Sequence, residues 1–284
     1  MKYAVEYLFI KILFGFLYLL PISLVSLLGG KIFRLLGTFS KSHKTAISNF
    51  KKIYSTKSNK EITNEVKKSW ENLGKTIFEI SILNKIVDYK NKKIKIEGME
   101  NISKLNKKNP IIFFAIHQSN WEILLPTINN LGINSIGIYR HINNKYIDNL
   151  ILYKRNKSIN SHKNFYSPKG KKSAKDMIDA IKNNTSILLL IDQKDSAGSK
   201  IKLFNQYVNT QTGFLKIARK NNLKLIPIKN TRHGINNFTI KFYPPLKNYK
   251  DISDIKAMTK IHSIIEKWIL QNPSQWLWQH NRFD

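Results

Sequence analysis

The chain has no cysteine among its 284 residues, which excludes disulfides, thiolate metal sites and cysteine nucleophiles. Acidic residues are scarce too: 18 Asp and Glu stand against 48 Lys and Arg, for a formal charge of +30. Histidines and carboxylates show no metal-ligand spacing, so we expect no metal site. No Gly-x-Ser-x-Gly segment occurs, which argues against the serine nucleophile of α/β-hydrolases. We find no internal repeat.

The excess of positive charge favours anionic partners. Nucleic acid, an anionic membrane surface and an acidic carrier protein would all be attracted by it. Lys, Asn and Ile are abundant together along the whole chain, however, so much of the lysine is equally compatible with a solvated surface. Charge alone leaves the partner open.

The amino terminus contains a segment, 12–28, without a charged residue. Its seventeen residues would form a helix of about 26 Å, just short of the usual hydrocarbon core. It lacks a good signal-peptide cleavage site, and we therefore predict a membrane anchor over 1–38 and a globular domain over 39–284. Pro21 could break the anchor into a re-entrant pair of short helices, and a buried core helix is the alternative. Basic residues around the segment favour a cytoplasmic location for that domain.

Strand and helix patterns alternate along the rest of the chain. Apolar residues recur at helical spacing over 45–54 and 60–85, and Ser58 is a candidate cap for the second helix. The predicted strands are 94–96, 110–116, 135–139, 186–192, 224–228 and 238–242; the further predicted helices are 120–130, 144–155, 173–183, 212–221 and 254–271. This alternation predicts an α/β fold with a mixed central sheet covered by helices. The Lys-, Asn- and Ser-rich segment 155–172 is predicted as a mobile loop and lid.

His117 is the most informative residue. An apolar, β-prone run over 111–116 ends at this histidine, and Glu122 follows it near the first turn of the next helix. A carboxylate that binds one imidazole nitrogen leaves the other free to take a proton from an alcohol. Because two residue types at one spacing also recur by chance, a buried core histidine is the alternative.

Four segments of the chain resemble the late acyltransferases of lipid A biosynthesis, the lauroyl/myristoyl transferase group of the glycerolipid-type acyltransferases. His117 to Glu122 is similar to the family's motif of histidine, four residues and an acid. The others are the Tyr-Arg segment 138–148 with Arg155 after it, the strand end 190–195 with the Thr-rich turn 210–213, and the terminus 273–283. That terminus, Pro-x-Gln-Trp-x-Trp-x-His-x-Arg, is the most specific.

The resemblance also has departures. Gln118 and Ser119 stand where the family usually has a bulky apolar residue and a glycine, and Asn205-Gln206-Tyr207 replaces its aromatic-glycine pair. These changes bear on acceptor or acyl-chain selectivity more than on the reaction.

The resemblance implies a glycerolipid-acyltransferase-like fold and transfer of a fatty acyl group from an acyl-carrier-protein thioester to a hydroxyl of a lipid A precursor. His117 would be the general base, with Glu122 fixing its tautomer. Arg140 and Arg155 would bind phosphates, and Arg140 or backbone N–H groups near His117 would hold the oxyanion. Asp192, at a strand end, is a further candidate for substrate binding or for bracing the loop.

The same resemblance implies no cofactor beyond the thioester co-substrate, which is carried by acyl carrier protein or coenzyme A. The expected partners are acyl carrier protein, the lipid acceptor and the membrane, without nucleic acid. The expected location is the bacterial inner membrane, with the catalytic domain on the cytoplasmic side. Trp276, Trp278, His280 and Arg282 are expected to be mainly structural.

Two alternatives stay open. One is an acyltransferase with a glycerophospholipid or other glycolipid acceptor, or with a coenzyme A donor. The other is a membrane-tethered basic protein that binds nucleic acid or anionic lipid without catalysis. The aromatic residues lie mostly in apolar runs rather than between basic residues, which disfavours the second.

Overall fold

The computed structural model describes residues 2–103, 109–159, 165–169 and 173–283. The helices are α1 Lys2–Leu19, α2 Ile22–Leu36, α3 Lys41–Ile53, α4 Asn59–Glu79, α5 Leu83–Val87, α6 Glu100–Ser103, α7 Leu124–Asn130, α8 Lys145–Lys157, α9 Ser173–Lys182, α10 Gly213–Lys220 and α11 Asp254–Gln271. The strands are β1 Ile94–Glu97, β2 Ile111–Ala115, β3 Ser135–Tyr139, β4 Tyr166–Pro168, β5 Ser186–Leu190, β6 Ser199–Leu203, β7 Gln206–Thr210, β8 Lys224–His233 and β9 Asn237–Phe242.

The described strands form a seven-stranded sheet in the order β1-β9-β8-β2-β5-β3-β4 and a separate β6–β7 hairpin. All neighbours in the large sheet are parallel except β8 and β9, which pair antiparallel. The α/β fold with a mixed central sheet covered by helices is therefore confirmed. The hairpin turns at Phe204 and Asn205, whose φ angles of 50° and 61° suit a two-residue turn.

Helices cover both faces of the sheet. Successive side chains of a strand point to opposite faces, so Phe113 of β2 packs in the core shared with α1, α7 and α8, whereas Phe114 packs in the core shared with α9, α10 and α11. All five residues of β2 are buried, which explains its unbroken apolar sequence. The strand thus lies at the centre of the molecule.

The uncharged segment 12–28 is not one helix. It breaks at Pro21, which lacks a backbone N–H and begins α2 after α1 has ended, as the alternative of two shorter helices allowed. Phe14, Leu17 and Val25, on the inner faces of α1 and α2, lie in the main core. Of the described residues, Ile22–Phe39 is long and apolar enough to cross a membrane, with 28% of it buried. The anchor boundary at residue 38 stays a prediction.

Helix α2 is held in place by close packing on α4. A Cβ atom added to Gly29 would lie 2.4 Å from the Gly74 carbonyl oxygen, so the two backbones touch directly. Ser58 caps α4, as predicted, in a reciprocal pair of hydrogen bonds with Glu61.

The predicted lid segment 155–172 contains the end of α8 and β4; its residues 160–164 and 170–172 lie outside the described part of the chain.

Candidate active site

The sheet register brings His117 and Asp192 together. Ala115 of β2 pairs with Leu190 of β5 in parallel, and each of the two polar residues lies two positions further on. The Asp192 Oδ1 atom lies 2.7 Å from the His117 Nδ1 atom. Its Oδ2 atom accepts hydrogen bonds from the His117 backbone N–H at 3.0 Å and the Trp276 indole N–H at 2.7 Å. The carboxylate that orients the imidazole is therefore Asp192, and the expected contact from Glu122 is wrong.

Asp192 is almost completely buried. Burial alone would raise the pKa of this carboxyl, but the neighbouring His117 charge and the hydrogen bonds from His117 and Trp276 outweigh it and hold the pKa below its ordinary value. An ionised Asp192 accepts only, so the proton of a neutral His117 lies on Nδ1 and the Nε2 lone pair is an acceptor that faces the cavity. The Gln193 side-chain amide lies 3.3 Å from that Nε2 atom.

Glu122 instead forms a bidentate ion pair with Arg155. The Arg155 Nε and Nη2 atoms each donate to this carboxylate at 2.6 Å, and the Trp121 indole N–H donates to it at 3.0 Å. The reason is local: Trp121–Ile123 form a 3-10 turn whose start is capped by the Asn120 side chain, which accepts from the Glu122 N–H. The turn directs Glu122 to α8 rather than back to His117.

The two predicted arginines differ in availability. Arg155 is largely buried; burial would lower its pKa, but the Glu122 charge outweighs this and raises it, so the guanidinium is already neutralised by a partner. It also lies over the rings of Tyr139 and Tyr166. Arg140 is exposed just after β3 and forms no ion pair with any described residue. Arg140 is therefore the arginine of the two that is open to a ligand.

A cavity of about 360 Å³ opens beside His117. The exposed residues Arg140 and Ile142 mark its mouth, while its buried end has an apolar lining that includes Leu125, Ile151 and Leu188. Gly137 of β3 also lines it; a Cβ atom there would lie 3.1 Å from a Leu125 methyl carbon. The cavity combines a polar mouth with an apolar interior, and the glycine keeps the interior open.

The carboxy-terminal segment closes over the loop that carries His117. The His117 carbonyl accepts from the Leu277 N–H at 3.0 Å, and the Ser119 N–H donates to the Gln275 carbonyl at 2.9 Å. Sequence reasoning took Trp276 as mainly structural, and it is buried, but its indole also contacts Asp192 directly. Its place in the terminal motif was visible in the sequence; its contact with the site was not.

Other terminal residues brace the same region. The His280 Nε2 atom accepts from the Lys194 N–H at 3.0 Å, and the buried Arg282 guanidinium donates to the Thr210 hydroxyl and the Asn209 carbonyl, each at 2.7 Å. The Trp278 indole donates to the Pro273 carbonyl. Within the described residues, no group of three or more His, Asp or Glu side chains is placed to hold a metal ion.

Comparison with known proteins assigns the chain to a protein family. No curated protein matches the chain significantly. A solved structure, the 1-acyl-sn-glycerophosphate acyltransferase PlsC from Thermotoga maritima, is similar over 87% of this chain and 99% of that chain, with 16% identity and a TM-score of 0.45. The family model of the bacterial lipid A biosynthesis acyltransferases matches residues 1–284, and the chain therefore belongs to this family of enzymes that transfer acyl groups.

Proposed function

We propose that the protein transfers a fatty acyl group from an acyl-carrier-protein thioester to a hydroxyl of a lipid A precursor, at the cytoplasmic side of the bacterial inner membrane. The observation that carries the proposal is the His117 ring, with Nδ1 bonded to buried Asp192 and Nε2 at a cavity that has an apolar interior. Family membership supports the lipid A precursor as acceptor.

His117 acts as the general base. The acceptor hydroxyl donates its hydrogen bond to the Nε2 atom and passes its proton there as its oxygen attacks the thioester carbonyl. The imidazolium that forms is stabilised by the almost completely buried Asp192 carboxylate at 2.7 Å. Collapse of the tetrahedral intermediate breaks the carbon–sulfur bond, and the departing thiolate takes the proton from Nε2.

The oxyanion needs hydrogen-bond donors that are not already used. The backbone N–H groups of Gln118 and Ser119, which sequence reasoning considered, donate to the carbonyls of Ile116 and Gln275. The side-chain amide of Gln193 has two N–H groups: one donates to the His117 Nε2 atom at 3.3 Å, and the second has no partner among the described residues. The amide and the exposed guanidinium of Arg140 line the same cavity. We assign the oxyanion to Gln193 and the phosphate or carrier arm of a substrate to Arg140.

The Glu122–Arg155 pair positions the cavity wall. Glu122 holds the Trp121 indole, whose ring lies edge-on to the His117 imidazole with 5.2 Å between centroids. Arg155 lies against Tyr139 and Tyr166, which line the same cavity. The orientation of the base therefore depends on Asp192, and the Glu122–Arg155 ion pair acts through the aromatic side chains beside it.

The test is an assay with the purified full chain in detergent. Acyl-carrier-protein thioesters and the matching coenzyme A thioesters serve as donors, and a lipid A precursor and lysophosphatidic acid serve as acceptors. The proposal expects acylation of the lipid A precursor from the carrier thioester and its loss in the His117→Ala variant. Transfer confined to lysophosphatidic acid would identify a glycerophospholipid enzyme. Full activity of His117→Ala would show that His117 is not the general base.

A matched control uses His233, an exposed histidine at the end of β8 that does not line the cavity. His233→Ala removes the same side chain and should retain full activity. Equal losses in the two variants would point to an effect on the fold rather than on the base.

A further inference from the structure

Three lysines surround one tyrosine at the end of α1. The ammonium nitrogens of Lys85, Lys154 and Lys157 lie 4.3, 4.9 and 5.9 Å from the centre of the Tyr18 ring. Lys85 comes from α5 and the other two from α8, so separate elements converge on this point. We propose that the three lysines bind the phosphate of an anionic membrane lipid.

The cluster lacks a counter-charge. None of the three lysines forms an ion pair with a carboxylate in the described part of the chain, although Lys85 and Lys154 are only partly exposed. Lys85 donates to the Tyr18 carbonyl at 2.6 Å and Lys154 to the Ser81 carbonyl at 3.2 Å, which orients both amines without neutralising them. Burial, together with the nearby Lys157, lowers the pKa of Lys154. A bound phosphate would supply the missing charge to all three amines.

The surroundings of the cluster favour a lipid as the source of this phosphate. One face of α1 exposes a continuous apolar stripe at helical spacing: Val5, Leu8, Phe9, Ile12, Phe16 and Leu19, each with more than half of its surface accessible. Tyr18 lies on the flank of this stripe, beside α8. A helix in this orientation places apolar side chains among acyl chains and the lysines at the depth of the headgroups.

The rest of the seam between α1 and α8 has the same composition. The Tyr7 and Tyr146 rings lie 5.9 Å apart, with Lys11 and Lys145 over them at 5.6 and 5.2 Å. Tyrosine and lysine beside an apolar face are typical of a membrane–water interface. The binding site thus lies on the flank of a surface suited to insertion into one leaflet, and this inference does not depend on acyl transfer.

The experiment measures binding of the full chain to vesicles of phosphatidylcholine, with and without phosphatidylglycerol, by flotation. The test variant replaces Lys85, Lys154 and Lys157 with glutamine. The matched control replaces three exposed lysines of α10 and α11, on the opposite side of the sheet, and so loses the same charge: Lys216, Lys220 and Lys256. A second triple variant with arginine at the three cluster positions checks that charge, not folding, is measured.

We expect the glutamine variant at the cluster to lose about 100-fold in partition to phosphatidylglycerol vesicles, because each lysine near an anionic surface contributes about fivefold. Binding to pure phosphatidylcholine should change little. The control variant should lose less than about threefold, because its lysines lie across the sheet from α1 and salt screens charges at that separation. The arginine variant should bind like the unaltered protein.

Other outcomes would overturn the proposal. Equal losses in the two glutamine variants would show diffuse attraction, and no loss in either would show that the cluster binds no lipid. Titration of the detergent-solubilised protein with inorganic phosphate and with short-chain phosphatidylglycerol separates the two sources: equal affinities, both lost in the cluster variant, would identify a free-phosphate site. Weakened binding of acyl carrier protein with vesicle binding intact would identify a docking site for the carrier.

Discussion

Replacing Asp192 with asparagine should remove most of the activity while the fold is retained. The asparagine is nearly the same size, so the buried position stays filled, but its amide cannot hold the Nδ1 proton of His117 as a carboxylate does. The equivalent exchange in the serine-protease triad reduces kcat by about 10⁴-fold, or about 5.5 kcal/mol of barrier. We expect a loss of about 10³- to 10⁴-fold in kcat, with little change in KM for either substrate.

Glu122→Gln should give a different result. The substitution leaves the buried Arg155 guanidinium without a counter-charge, and breaking a buried ion pair costs about 3–5 kcal/mol of folding free energy. A second substitution, Arg155→Gln, should recover part of that stability because no lone charge remains. We would measure thermal unfolding in detergent and kcat on the folded fraction for Glu122→Gln, for the double variant and for Asp192→Asn. These measurements separate orientation of the base from support of the cavity wall.

One pattern of results would assign the orientation of His117 to Glu122 instead of Asp192. If Glu122→Gln unfolds at the normal temperature yet abolishes kcat, while Asp192→Asn stays within about tenfold of the unaltered enzyme, then Glu122 orients His117 during turnover. Recovery of stability in the double variant without recovery of activity would leave the ion pair with a direct role in the reaction.

Three further predictions concern buried polar groups. Arg232→Gln should lower the free energy of unfolding by about 3–5 kcal/mol, because it leaves the fully buried Glu79 carboxylate without a counter-charge. Thermal unfolding would measure this loss. Burial lowers the pKa of His262 from 6.5 to about 4, so the neutral imidazole contributes about 3 kcal/mol to the free energy of unfolding. This contribution is complete above pH 6.5 and is lost as the pH falls towards 4. The free energy of unfolding of His262→Gln, measured with denaturant, should lack this pH dependence. Trp276→Phe removes one donor to Asp192 and should reduce kcat about tenfold on the folded fraction. The smaller ring should also lower the melting temperature, because Trp276 is buried against Trp278 and Phe283. An unchanged kcat would make this indole purely structural.

The sheet could be predicted because its central strands are unbroken apolar runs. β2 and β5 are buried on both faces, and such strands need apolar residues at successive positions. The β6–β7 hairpin was missed, although Ile201 and Leu203 alternate with lysines and Asn205 suits a left-handed turn. The alternating segment is only a few residues long, and in a chain so rich in lysine such an alternation also occurs by chance.

The error at the site has a physical cause. Glu122 is close to His117 in sequence, whereas Asp192 is 75 residues away and is predicted from the sequence only to bind substrate or to brace the loop. Parallel strands that are neighbours in the sheet bring their carboxyl ends together, but β3 lies between β2 and β5 in the chain. Sequence alone does not reveal that β5 enters the sheet between β2 and β3, so it cannot choose between the two acids.

The departures at Gln118 and Ser119 have a structural explanation that leaves the reaction intact. Ser119 has a φ of 58°, in the left-handed region where glycine is usual and another residue costs about 1 kcal/mol. The Asn72 and Thr76 side chains donate to its carbonyl, and its N–H donates to Gln275, so three hydrogen bonds hold the strained backbone.

Gln118 is also buried and donates to the Trp268 carbonyl, and neither it nor Ser119 lines the cavity. Because no substrate held in the cavity would touch these side chains, they do not select the acceptor. Selectivity must come from residues that line the cavity, such as Arg140 at the mouth and Gly137 in the interior. Changes at those positions, rather than in the loop after the histidine, should therefore alter which lipid or acyl chain is used.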